Sequence, residues 1–152
     1  MLKNILIIDD DERLRELLDE YLTEKNYKIY HSDDFNSGKE ILEYFIFDLV
    51  IVDRMMPSGD GINLVNIIKE KSNTPIILLT AMGEPENKIE GLKIGADDYL
   101  AKPFEPEELY LRIQKLLNLF SDINEKSEII NFGDFTYNIN DLQLKRKNKI
   151  IY

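Results

Sequence analysis

Residues 3–22 read KNILIIDDDERLRELLDEYL, and a change of period inside this stretch decides the fold. Ile5 to Ile8 form an unbroken apolar run that ends in Asp9, Asp10 and Asp11. A short run apolar at every position is a strand buried on both faces, as in a parallel sheet covered by helices. From Leu14 onward the apolar residues recur as Leu14, Leu17, Leu18, Tyr21 and Leu22, the spacing of a helix with one buried stripe. Strand and amphipathic helix together make one βα unit.

Five such units can be counted along the chain, which predicts repeated βα units around a parallel sheet. The strand candidates are Asn4 to Asp9, Lys28 to His31, Asp48 to Asp53, Pro75 to Thr80 and Asp98 to Ala101. Leu109, Ile113, Leu116, Leu117 and Phe120 carry the stripe of the last helix, whose first turn suits Pro106, Glu107 and Glu108. Ser37, with Glu40 three residues on, predicts the cap of the second helix.

The pattern changes after Phe120. Residues 121–127 are polar and charged and read as a linker. Over 128–152, Phe135, Tyr137 and Ile139 alternate, and turn signals at Gly133-Asp134, Asn140-Asp141 and Lys147-Asn148 predict a short antiparallel β-meander. Such a sheet alone has too little core, so the expected organisation is a domain over 1–120 followed by a fragment of a second.

Composition narrows the function classes. The chain of 152 residues contains no cysteine, which excludes disulfides, thiolate metal sites and thiol catalysis. Its net charge is -10, and residues 121–152 carry five acidic and five basic side chains, so the whole excess falls on 1–120. That domain repels nucleic acid. No run of about 18 apolar residues is present, and the first residues enter a charged strand-helix unit rather than a signal peptide, so a cytoplasmic protein without membrane contact is expected.

In an open doubly wound sheet, ligands bind at the carboxyl ends of the strands. Here those ends bring Asp9, Asp10 and Asp11, then Asp53, then Thr80, then Lys102 and Pro103 toward one crevice. Several carboxylates in one crevice repel each other unless a cation neutralises them, which predicts a hard divalent metal held by oxygen, magnesium fitting best. A carboxylate beside such a metal can attack phosphorus to give an acyl phosphate while an ammonium and a hydroxyl hold the transferred oxygens. Asp53, Lys102 and Thr80 supply those groups. Singly, each has a plainer reading: Asp11 and Asp60 as turn formers or helix caps, Lys102 as a solvated lysine, Thr80 as a β-branched strand residue.

With these residues quoted, the sequence resembles the response-regulator receiver family of two-component systems. The resemblance runs through Ile7-Ile8-Asp9-Asp10-Asp11, Val50-Ile51-Val52-Asp53-Arg54-Met55-Met56-Pro57, Leu79-Thr80-Ala81 and Ala101-Lys102-Pro103-Phe104, and covers residues 2 to about 120. It implies a flavodoxin-like (βα)5 doubly wound parallel sheet with strand order 2-1-3-4-5. It implies that Asp53 is the phosphoacceptor, that Asp9, Asp10, Asp53 and the backbone carbonyl of Met55 hold magnesium, and that Lys102 contacts the phosphoryl group. It further implies a switch: Thr80 moves to the phosphoryl group, Tyr99 rotates inward, and the face of the fourth helix, fifth strand and fifth helix is remodelled. Tyr99 also reads as an ordinary half-buried strand tyrosine. The expected donor is a sensor histidine kinase, docking around Leu14.

Within the family the winged-helix-output (OmpR/PhoB-like) subgroup looks closest, because Gly95-Ala96-Asp97-Asp98-Tyr99-Leu100 precedes the lysine and a meander like that domain's N-terminal platform follows the linker. Members of the subgroup dimerise on the switch face. The matching positions are Lys88, Ile89, Leu92, Asp97, Asp98, Glu108, Tyr110 and Arg112, with Lys88 to Glu108 and Asp98 to Arg112 as candidate cross-subunit ion pairs. DNA binding would belong to the output domain, with a stand-alone receiver acting by protein contact as the alternative. Met55 and Met82 flank the path of a hydrolytic water and are expected to slow dephosphorylation.

Two rivals differ in class. A haloacid-dehalogenase-type phosphatase needs a second aspartate two residues after the nucleophile, where this chain has Met55, so an enzyme of multiple turnovers is not expected. A flavodoxin-like electron carrier would be coloured. No Gly-rich phosphate loop is present, and His31 is the sole histidine.

Overall fold

A computed structural model of the chain describes residues 2–81 and 95–134, with side chains as far as Ser121. The strands are β1 (Lys3–Ile8), β2 (Tyr27–Ser32), β3 (Leu49–Asp53), β4 (Met55–Met56), β5 (Gly59–Asp60), β6 (Ile76–Ala81) and β7 (Asp98–Lys102). The helices are α1 (Glu12–Glu24), α2 (Phe35–Tyr44), α3 (Gly61–Lys71) and α4 (Pro106–Asp134). Five strands form a parallel sheet in the order β2-β1-β3-β6-β7, the doubly wound order expected from the sequence.

Continuous apolarity translates directly into burial. All of β3 is buried, as are Ile5 to Ile8 of β1 and Ile76 to Thr80 of β6. The edge strand β2 instead alternates half-buried and exposed residues from Tyr27 to His31 before the buried Ser32. Leu18 and Leu22 of α1, Leu42 of α2 and Leu64, Val65 and Ile68 of α3 close over the sheet.

Local signals place the helix ends. Asp11 caps α1 by accepting from the Leu14 N–H at 3.2 Å, and Asp60 caps α3 through the Ile62 N–H at 2.9 Å. The cap of α2 is Asp34, which accepts from the Ser37 N–H at 2.7 Å; Ser37, expected as the cap, lies inside the first turn. Aspartate in extended conformation there satisfies a free N–H that Ser37, already helical, cannot.

The last helix runs on into the expected tail. It begins at Pro106 as predicted but continues to Asp134, through the expected linker 121–127 and the first residues of the expected platform over 128–152. Between Glu107 and Phe132 there is neither glycine nor proline to stop it, and a polar composition alone does not end a helix. The remainder of the expected meander, 135–152, lies outside the described residues. The chain divides between Leu116 and Leu117 into two units, and the sheet belongs to the first. Among the described residues no helix is long and apolar enough to cross a membrane.

Candidate functional site

The carboxyl ends of β1 and β3 set Asp9 and Asp53 side by side, because β1 and β3 are neighbours in register from Ile5 and Leu49 to Ile8 and Val52. Both aspartates are buried, whereas Asp10 is exposed. Carboxylate oxygens of Asp9, Asp10 and Asp53 all lie within 4.8 Å of one another. Such close like charges are unfavourable without a cation.

One cation is built in. Lys102 at the end of β7 places Nζ 2.9 Å from Asp9 Oδ2 and 3.5 Å from Asp53 Oδ2. Burial pulls the Lys102 ammonium down, but Asp9 and Asp53 more than offset this and leave it above its ordinary value. A single lysine does not balance three carboxylates. Burial pushes the Asp53 carboxyl up to about 7, with Asp9 and Asp10 adding to the rise and Lys102 and the Met55 N–H opposing it. A set of hard oxygen donors whose negative charge one lysine does not balance fits a small divalent cation such as magnesium.

Backbone donors finish the near side of the crevice. The Asp11 N–H donates to Asp9 Oδ1 at 2.9 Å, and the Met55 N–H to Asp53 Oδ1 at 3.3 Å. Thr80, near the end of β6, is buried, and its Oγ1 has no hydrogen-bond partner among the described residues. Thr80 pairs in register with Ala101, next to Lys102. Tyr99, two residues earlier on β7, is half-buried against the core cluster around Leu78 and Val52. Asp9, Asp10, Asp53, Thr80 and Lys102 are therefore brought to the ends of neighbouring strands, as the sequence suggested.

The expected contact face behaves differently. Lys88, Ile89, Leu92 and Met82 lie outside the described residues. Arg112 is paired within its own chain, with Asp98 at 2.8 and 2.9 Å and with Glu108 at 3.3 Å. Asp97 accepts from Lys69 Nζ at 2.9 Å and from the Ile76 N–H at 2.8 Å. Tyr110 packs on Tyr21 and Tyr27, with ring centroids 6.3 and 6.2 Å away. Each of these described side chains already has an intrachain partner.

Sequence reasoning missed the two-stranded hairpin of β4 and β5, which pairs Met55 with Asp60 and Met56 with Gly59 directly behind Asp53. The signal for it was Pro57-Ser58-Gly59, a turn composition between residues read only as a motif.

Residues 5–114 match the family model of the response regulator receiver domain. The chain belongs to that family. As a receiver it is similar to protein PetR of Rhodobacter capsulatus, 39% identical over 144 residues that make up 94% of this chain and 61% of that protein. The transcriptional regulatory protein ResD of Bacillus subtilis is 45% identical over 116 residues, 74% of this chain and 47% of its own length. The receiver thus spans less than two thirds of either curated relative. Among solved structures, the receiver domain of Francisella response regulator 1452 superposes with a TM-score of 0.73 at 36% identity, over 78% of this chain and 98% of that one. A CheY-like receiver domain from Methanospirillum hungatei gives a TM-score of 0.77 at 27% identity, over 80% and 98%.

Proposed function

We propose that this receiver accepts a phosphoryl group on Asp53 from a sensor histidine kinase and uses the added charge as a switch. The observation that carries the reading is the placement of Lys102 Nζ between two buried carboxylates, 2.9 Å from Asp9 and 3.5 Å from Asp53. An ammonium there meets the new negative charge without further desolvation.

In the transfer, an Asp53 carboxylate oxygen forms the new bond to phosphorus while the bond to the kinase imidazole nitrogen breaks and its electron pair returns to the ring. Asp9, Asp10, Asp53 and the backbone carbonyl of Met55 would hold magnesium, which when bound neutralises charge on the phosphoryl oxygens. Lys102 contacts one phosphoryl oxygen, and the Thr80 hydroxyl donates to another. Moving Thr80 toward Asp53 opens space into which Tyr99 turns, and the resulting surface change shifts a pre-existing equilibrium toward a homodimer. Lys88, Ile89, Leu92, Asp97, Asp98, Glu108, Tyr110 and Arg112 are the candidate face for that contact. The chain is the substrate and the catalyst of its own modification rather than an enzyme of multiple turnovers, and it acts in the cytoplasm. ResD and the SrrA protein of Staphylococcus aureus, both named as transcriptional regulatory proteins, support a role in transcription. The winged-helix output domain proposed for that role rests on the sequence resemblance alone.

The test is incubation of wild type and Asp53→Asn with acetyl phosphate, with and without magnesium, on a phosphate-affinity gel. A retarded band only for wild type with magnesium supports the reading; the same band for Asp53→Asn, or none for wild type, contradicts it.

A further inference from the structure

The segment behind the phosphoacceptor is pinned in a way the transfer chemistry does not use. Arg54 follows Asp53 directly and is buried. Its N–H donates to the Leu79 carbonyl at 2.8 Å, and its carbonyl accepts from the Gly61 N–H at 2.7 Å. Its guanidinium reaches Asp60, with Nε 3.4 Å from Oδ1 and Nη2 3.4 Å from Oδ2. Asp60 is in turn the residue opposite Met55 in the hairpin and the cap of α3. The chain therefore leaves the site at Arg54, turns, and is tied back to Arg54 by a side chain and a backbone bond, with Met55 in the closed loop.

We infer that Arg54 and Asp60 are positioning residues that hold the Met55 backbone against the Asp53 carboxylate, and that their ion pair sets the affinity for magnesium. The inference rests on the reading of Asp53 and magnesium above. Met55 is the residue whose N–H meets Asp53 Oδ1 at 3.3 Å, so freedom in the hairpin passes straight to the site. Groups that orient a metal's ligands without touching the metal typically change its affinity by about 10- to 100-fold when removed.

Charge alone makes a different forecast. Arg54 is a cation near a carboxylate cluster, so neutralising it would strengthen the attraction for magnesium, whereas neutralising Asp60 would weaken it. Loss of positioning weakens binding in both cases. The stability contribution is small either way, because the Asp60 side chain is 41% exposed and exposed ion pairs add little to folding.

The experiment titrates magnesium into wild type, Arg54→Met and Asp60→Asn by calorimetry, without phosphodonor, at a temperature where all three are folded. Asparagine keeps the capping oxygen and lacks only the charge, so weaker binding in Asp60→Asn fits either forecast. Should Arg54→Met fail to fold, Arg54→Lys, titrated in the same way, decides the matter, because lysine keeps the charge but not the two-pronged contact. Weaker binding in Arg54→Lys supports positioning, and unchanged binding overturns it. Expected are dissociation constants raised about tenfold in both variants, with wild-type phosphorylation by acetyl phosphate recovered at saturating magnesium. Unchanged affinity in Asp60→Asn, or tighter binding in Arg54→Met, overturns the inference while leaving the phosphoacceptor reading intact. Wild type that neither binds magnesium nor takes a phosphoryl group defeats that reading itself.

Discussion

Lys102 Nζ stands 2.9 Å from Asp9 Oδ2, and this contact joins the last strand of the sheet to the first across the buried Asp53. Asp9 is fully buried, so removing its cation leaves a carboxylate with no compensating charge. Breaking a buried pair from one side costs about 3–5 kcal/mol, and the partial exposure of Lys102 puts the expected loss at or below the lower end. Lys102→Met should therefore unfold at lower urea than wild type at pH 8 without metal, and magnesium should restore part of the difference. Equal midpoints would mean that the ion pair contributes nothing to the fold.

Asp53 sets a pH dependence of definite sign. Its carboxyl is raised from 3.8 to about 7, so between those values the folded chain retains a proton that the unfolded chain has lost. Stability in the absence of metal then falls as pH rises from about 4 to about 7 and levels off above. Asp53→Asn removes this slope and should be the more stable protein at pH 8, by an amount on the order of a few kcal/mol. Urea unfolding in chelator from pH 4 to 8 checks it; a wild-type curve parallel to that of Asp53→Asn contradicts it. Magnesium must displace the same proton, so its binding should weaken below pH 7.

The parts legible in the sequence are those governed by period and by strand ends. Ile5 to Ile8 and Val50 to Val52 announce buried parallel strands through unbroken apolarity, and Asp9, Asp53 and Lys102 then fall where strands end. What stayed hidden depends on tertiary contacts or on the absence of a stop signal. The pairing of Arg54 with Asp60 spans a turn in which Gly59 lies so close to Phe35 that an added Cβ would stand 2.6 Å from the ring. The choice of Asp34 over Ser37 as cap is a competition between two good capping residues that differ by three positions. The continuation of α4 beyond Phe120 reflects polar residues that are also adequate helix formers.

Gly61 is a test of close packing at the site. A Cβ there would lie 2.3 Å from the Asp53 carbonyl oxygen and 2.8 Å from Val52 Cγ1. Gly61→Ala should lower stability by about 1–3 kcal/mol and slow phosphorylation by acetyl phosphate, because the displaced atoms belong to the phosphoacceptor itself. A variant with wild-type stability and rate would show that α3 shifts freely.

Met55 bears on phosphoryl lifetime. Its side chain is 61% exposed beside the crevice and offers no hydrogen bond to an attacking water. Met55→Asn supplies one and should shorten the half-life of the phosphorylated protein severalfold, more so combined with Met82→Glu. The measurement is decay of phosphorylated protein after removal of the donor; an unchanged half-life refutes the role.

The central claim is that Asp53, and not Asp9 or Asp10, forms the bond to phosphorus. Reduction of the phosphorylated chain with borohydride converts an aspartyl phosphate to homoserine, which peptide mass spectrometry locates to a single residue. The account predicts homoserine at position 53 in magnesium-containing samples and none without phosphodonor. Homoserine at position 9 or 10, or none anywhere in protein that shows a gel shift, would contradict it.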